Sequence, residues 1–274
     1  MNRMITILAL VLMIGLTSTP LFAQEITTIA EINQVDDQGN PTFAGLQTMD
    51  HYTIQGRVLN DPAAFNGFTD SGEINSDFIL FMQDDTGGIQ VYSGAWYGGG
   101  LSAYPLELQP GDFVTVTGLT GHFGGKTNIN ERHNPDQKFT IEVAATPPQE
   151  PAPFELDSLA GLNDFDPTRQ SGGEYYQGRL VTLKNVQIVE GEWTAGAMIT
   201  VADEQGNTVT VELRPGTGIG DEPQPAGALN ITGVFNQEDP EPPFTEEYLL
   251  WPRSIDDFQA AGGSSHAENW DVYQ

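Results

Sequence analysis

Phe78-Ile79-Leu80-Phe81-Met82-Gln83-Asp84 is followed by Asp85-Thr86-Gly87-Gly88 and then by Ile89-Gln90-Val91-Tyr92. Two β-rich runs flank a short polar segment containing Gly. Gly after Asp supplies the positive φ that a tight hairpin needs, so the stretch reads as a β-hairpin. A second copy lies downstream. Met198-Ile199-Thr200-Val201-Ala202-Asp203 turns through Glu204-Gln205-Gly206-Asn207 into Thr208-Val209-Thr210-Val211.

The same order of elements surrounds both hairpins. Tyr52-Thr53-Ile54-Gln55-Gly56-Arg57-Val58 precedes the first, and Tyr176-Gln177-Gly178-Arg179-Leu180-Val181 precedes the second. Gly111-Asp112-Phe113-Val114-Thr115-Val116-Thr117-Gly118 follows the first, and Gly227-Ala228-Leu229-Asn230-Ile231-Thr232-Gly233 follows the second. Each half opens on a short helix candidate, Thr28–Ile32 and Leu156–Ala160. A repeat of this length marks duplicated structural units. In the closing strand, Val114 and Val116 alternate with Phe113, Thr115 and Thr117, the period of a half-buried strand. Five strands in about 100 residues suit a small barrel, with Gly at its corners. The expected class is all-β, with two tandem OB-like five-stranded barrels.

The expected boundaries follow from composition. Arg3, the apolar run Ile5–Leu16, Pro20 and Ala23 make residues 1–23 a signal peptide. The 12-residue run is shorter than the roughly 20 residues of a spanning helix. The rest is therefore expected to be exported to the periplasm or beyond, soluble and not inserted in a membrane. Residues 24–146 form the first barrel domain and Pro147–Pro153 a Pro-rich linker. Residues 154–260 form the second barrel domain and 261–274 a flexible tail.

Charge and motifs exclude more than they identify. The chain has 10 Lys and Arg against 38 Asp and Glu, a net charge of −28. Such a surface repels phosphate backbones at long range. Cys is absent, which removes disulfides, thiolate metal sites and Cys nucleophiles. The four His residues show no metal-ligand spacing, and no Gly-x-Ser-x-Gly elbow is present. No catalytic residue, metal ligand or cofactor is expected. Asp36-Asp37-Gln38-Gly39-Asn40 and Asp84-Asp85-Thr86-Gly87-Gly88 cluster oxygens without the EF-hand's twelfth-position Glu, and read as turn chemistry.

One stretch departs from the acidic rule. Residues 122–138 hold Lys126, Arg132 and Lys138, three of the four basic residues of the first half, beside Phe123 and Asn128. By strand order this is the turn between strands 4 and 5 together with strand 5, part of an OB-fold's ligand surface. Tyr92, Trp96 and Tyr97 lie in a Gly-rich segment on the same side. Aromatic rings with local positive charge suit single-stranded nucleic acid. Rings with polar groups alone suit an oligosaccharide. The candidate ligand residues are Tyr92, Trp96, Tyr97, Phe123, Lys126, Asn128 and Arg132.

The series Ile29–Ile32, Ile54–Val58, Phe81–Asp84, Gly88–Tyr92, Leu108–Gly118 and Thr127–Ile129 resembles the OB-fold segments beside the catalytic domain of secreted bacterial nucleases of the endonuclease/exonuclease/phosphatase type. The second half resembles related OB-like domains through Ile231–Phe235 and Leu249–Asp257. The resemblance covers most of residues 26–258 and leaves the nuclease domain out. It implies a non-enzymatic binding or accessory module. The expected partner is single-stranded nucleic acid, with an oligosaccharide, an extracellular protein or a purely structural role in an extracellular assembly as the alternatives.

Overall fold

The computed structural model describes residues 25–105 and 107–262. The expected signal peptide, residues 1–23, and most of the expected tail, residues 261–274, lie outside the described residues. Strands β1 (Tyr52–Val58), β2 (Phe78–Gln83), β3 (Gly88–Ser93), β4 (Phe113–Phe123) and β5 (Lys126–Asn130) close a five-stranded barrel in the order β1-β2-β3-β5-β4-β1. All pairs are antiparallel except β3–β5, where Gln90 faces Asn128 and Val91 faces Ile129 in parallel. β6 (Thr140–Val143) extends the sheet beside β4.

The second half repeats this arrangement. After β7 (Phe154–Leu156), strands β8 (Leu180–Glu190), β9 (Met198–Ala202), β10 (Thr208–Glu212), β11 (Leu229–Gln237) and β12 (Tyr248–Trp251) close in the order β8-β9-β10-β12-β11-β8. The parallel closure recurs between β10 and β12. β13 (Phe258–Ala260) flanks β11 as β6 flanks β4. The fold is all-β, with two closed five-stranded barrels.

The hairpin Asp does the same work in both. The Asp84 carboxylate accepts from the backbone N–H groups of Thr86 and Gly87 and from Ile29 N–H at 3.2 Å, at the start of α1 (Ile29–Ile32). The Asp203 carboxylate accepts from Gln205 and Asn207 N–H and from Leu159 N–H at 2.9 Å. Burial pushes the Asp203 pKa up, but these bonds and the Asn207 side chain outweigh it and hold it at about 2. The loop oxygens are thus engaged in turn geometry.

The expected helix over Leu156–Ala160 is a difference. Phe154–Leu156 is strand β7, parallel to β8, and a turn follows it. Pairing with β8 satisfies its backbone, which a five-residue helix would leave largely open. Helix α2 (Gly100–Ala103) and helix α3 (Gly172–Tyr176) fall in connections.

Every residue of β2 and of β12 is buried. Alternation explains why. Phe78, Leu80 and Met82 fill the first barrel, while Ile79 and Phe81 point out into a third cluster with Leu59, Phe65, Leu180, Val234, Leu249 and Trp251. Tyr248 and Leu250 fill the second barrel, while Leu249 and Trp251 join that same cluster. The barrels therefore share an apolar interface, with each large side chain contributing roughly 1.5–3 kcal/mol on burial. Polar ties reinforce it. Leu180 N–H donates to Gln83 Oε1 at 2.9 Å, and Arg214 Nε donates to Phe65 O at 2.8 Å. Gln149 N–H, in the Pro-rich segment, donates to Gly111 O at 2.9 Å, and Glu150 pairs with Arg253.

Candidate functional site

A cleft of about 930 Å³ opens between the barrels. One wall comes from β2, β3 and the β4–β5 turn. The other comes from Arg214, Glu238 and Trp251 of the second barrel. Gly124 and Gly125, at φ +59° and +81°, form the two-residue turn that sets Phe123 opposite Lys126. Positive φ at both central positions is what such a tight hairpin requires.

Five of the seven sequence-nominated residues line this cleft: Tyr92, Tyr97, Phe123, Lys126 and Arg132. Tyr97 is 56% exposed and stacks on His133, with ring centroids 4.2 Å apart. Phe123 is 69% exposed. Tyr92 is half-buried, and its hydroxyl donates to Asp77 Oδ2 at 3.3 Å. Burial, then the Asp77 charge, pushes its pKa up, so it stays a neutral donor. Trp96 is 89% exposed and Asn128 is buried, and neither lines the cleft.

Two basic residues are occupied inside the molecule. Lys126 is 3% exposed, and its ammonium donates to Gln237 O at 2.6 Å and Glu238 Oε1 at 2.8 Å across the interface. Arg132 donates to the carbonyls of Gly45, Thr48 and Thr120 at 2.6–3.0 Å. The pattern extends to Arg57, Arg169, Arg179, Lys184, Arg214 and Arg253, each of which hydrogen-bonds within the chain. Among the described residues, the exposed Lys138 is the one basic side chain with no such bond.

The aromatic wall rests on a buried acid. Glu131 is 2% exposed, its Oε1 accepts from Ser93 Oγ at 3.1 Å, and its Oε2 has no partner. A Cβ on Gly98 would sit 1.8 Å from Glu131 Oε1, so the loop carrying Tyr97 lies directly on this carboxyl. Burial pushes the Glu131 pKa up, and the Ser93 bond and the charges of His133 and Lys138 offset this only in part. His122 also lines the cleft. Burial and then the Lys126 charge push its pKa down, which keeps the ring neutral at neutral pH.

Sequence reasoning did not single out His122 and His133 as lining residues, although both fall within the stretch 122–138. The second-barrel wall had no signal in the sequence, because it depends on how the barrels meet. Chemically the site presents flat rings, neutral hydrogen-bonding groups and the charged side chains of Asp77, Lys126, Arg132, Arg214 and Glu238, each bonded within the chain. Among the described residues no group of three or more His, Asp or Glu is placed to hold a metal ion. No helix among them is long and apolar enough to cross a membrane.

The fold and cleft define a two-barrel, OB-like β protein with a ring-lined groove at the barrel junction. No protein-family model matches the chain. It is similar to Endonuclease YhcR of Bacillus subtilis (strain 168), with 27% identity over 223 residues. The match takes in 81% of this chain and spans 15% of that protein's length. Among solved structures, a chain described as "Structural mimicry for functional antagonism" aligns at a TM-score of 0.35 and 13% identity. That alignment covers 73% of this chain and 87% of the other.

Proposed function

We propose that this chain is an exported, non-enzymatic OB-fold binding module whose inter-barrel cleft holds single-stranded nucleic acid by ring stacking. The observation that carries the reading is the convergence of Tyr97, His133 and Phe123 with Tyr92 and Arg132 in one cleft. The cleft opens at the strand 4–5 turn and at the margin of the β2–β3 face, whose centre packs on the second barrel. OB-folds use that turn and that face for oligonucleotides and oligosaccharides. The similarity to an endonuclease over most of this chain supports an accessory role beside nuclease chemistry. Base stacking is worth about 1–3 kcal/mol per base without phosphate contacts.

The occupied basic residues shape the expected behaviour. Lys138 is the one basic side chain among the described residues without an internal hydrogen bond, and Arg132 is partly open although it donates to three carbonyls, so about two phosphates at most are neutralised. The log–log salt slope is then no steeper than roughly −1.4. Fluorescence anisotropy of labelled single-stranded DNA over a salt series tests this. Saturable binding with a shallow slope supports stacking. No binding at low salt, where attraction is least screened, sinks it.

A second reading is favoured by the same occupied cations: an oligosaccharide, which needs rings and neutral donors but no positive charge. Unlabelled neutral oligosaccharide displacing the DNA, or binding where DNA does not, would put this reading first.

A further inference from the structure

A second depression, of about 430 Å³, lies where α1 and the residues after it meet the Pro167–Arg179 segment of the second barrel. It shares no lining residue with the cleft. Arg169 and Arg179 both line it, with Gln34 and Tyr175 among their neighbours. No Asp or Glu lines it, in a chain that carries 38 of them.

The two guanidinium groups are not equivalent. Arg169, held at φ +53°, pairs with the buried Glu174, which offsets its charge. Arg179 has no carboxylate partner. It is 7% exposed, with the rings of Tyr175 and Phe154 at 4.6 and 5.3 Å from its guanidinium carbon. Its Nη2 donates to Thr86 O at 2.7 Å, and its buried Nε makes no hydrogen bond. A planar cation fixed by two rings, with most of its five donors unused, is pre-organised to receive an oxyanion through parallel N–H···O bonds. The nearby Asp166 is taken up by Thr168 and Ser171, whose hydrogen bonds hold its pKa at about 2.

We propose that this depression is a phosphate-binding site, with the Arg179 guanidinium as the primary donor and Gln34 and Tyr175 among its lining. The Arg169–Glu174 pair closes one side. Because residues of both barrels line the depression, a bound phosphate also ties the barrels together. The site stands independently of whether the cleft binds a ligand.

The test is calorimetric titration of the whole chain with inorganic phosphate at constant ionic strength, repeated with a monoalkyl phosphate and with acetate. Saturable binding of inorganic phosphate is expected. Gln34 is exposed, so Gln34→Glu keeps the fold and sets a carboxylate at the rim. It should weaken binding about tenfold or more, as should Arg179→Lys, which keeps the charge and loses the fork. Equal or tighter binding of the monoalkyl phosphate identifies a phosphate monoester as the source, and weaker binding identifies free phosphate. No saturable binding of either phosphate, unchanged affinity in Gln34→Glu, or acetate binding as tightly as phosphate would overturn the assignment.

Discussion

Lys126 Nζ lies 2.8 Å from Glu238 Oε1, so the basic side chain at the β4–β5 turn of one barrel forms an ion pair with the other. Only 3% of the Lys126 side chain is exposed, against 31% for Glu238. Burial, with the Arg214 charge, pushes the Lys126 pKa down, and the Glu238 charge offsets this only in part. The pair links the ligand face to the barrel junction.

Lys126→Met removes the bonds to Glu238 and to Gln237 O. Hydrogen bonds to a charged group contribute about 1.5–3 kcal/mol. The half-open Glu238 stays hydrated, so the lower end of that range is expected. Urea unfolding should show a lower midpoint, while oligonucleotide affinity at the cleft falls less than a lost phosphate contact would require. An unchanged midpoint would contradict the interface role.

A close backbone contact makes a second prediction. A Cβ on Gly88 would lie 2.0 Å from Gly178 O, on the opposite barrel. Gly88→Ala cannot be absorbed by a side-chain movement, because the obstruction is backbone. A loss of about 1–3 kcal/mol is expected, with a larger radius of gyration in small-angle scattering as the barrels part. A variant with wild-type scattering and stability would show that the junction gives way easily.

Glu131 predicts a pH dependence. Its pKa in the folded chain is raised above the ordinary 4.5, first by burial. Its stabilising contribution is complete below the unfolded value and is lost as pH rises through the folded value. Glu131→Gln should therefore be more stable than the native chain at neutral pH and lose that advantage near pH 4. Unfolding midpoints at the two pH values check this, and a variant less stable at neutral pH would contradict it.

The barrels were legible because their signals are local. Gly206 after Asp203 has the expected positive φ of 85°, and the period-two burial of Val114 and Val116 follows the pleat. Gly87 and Gly88 after Asp84, by contrast, are not at positive φ, and that turn is held by the Asp84 carboxylate accepting from Thr86 and Gly87 N–H. The junction was harder to read, because Ile79, Phe81, Leu249 and Trp251 belong to strands whose two faces are both covered. The unbroken apolar run Phe78–Met82 carries that information, since a strand open to water on one face alternates with polar residues. The chemistry of Lys126 was not legible at all. A Lys in a basic loop reads as solvated, and only the meeting of the two barrels brings Glu238 to it. The exposure of the Tyr97 and Phe123 rings was legible because both lie in Gly-rich turns, but the same signal singled out Trp96, which is exposed and lies outside the cleft.

Stacking in the cleft is tested by the anisotropy of labelled single-stranded DNA with the Tyr97→Ala, Phe123→Ala double variant. Both rings are more than half exposed, so the fold should be retained. Loss of two stacking contacts of about 1–3 kcal/mol each predicts at least a tenfold loss of affinity, largely independent of salt. Native affinity in the double variant would show that the cleft is not where the strand binds.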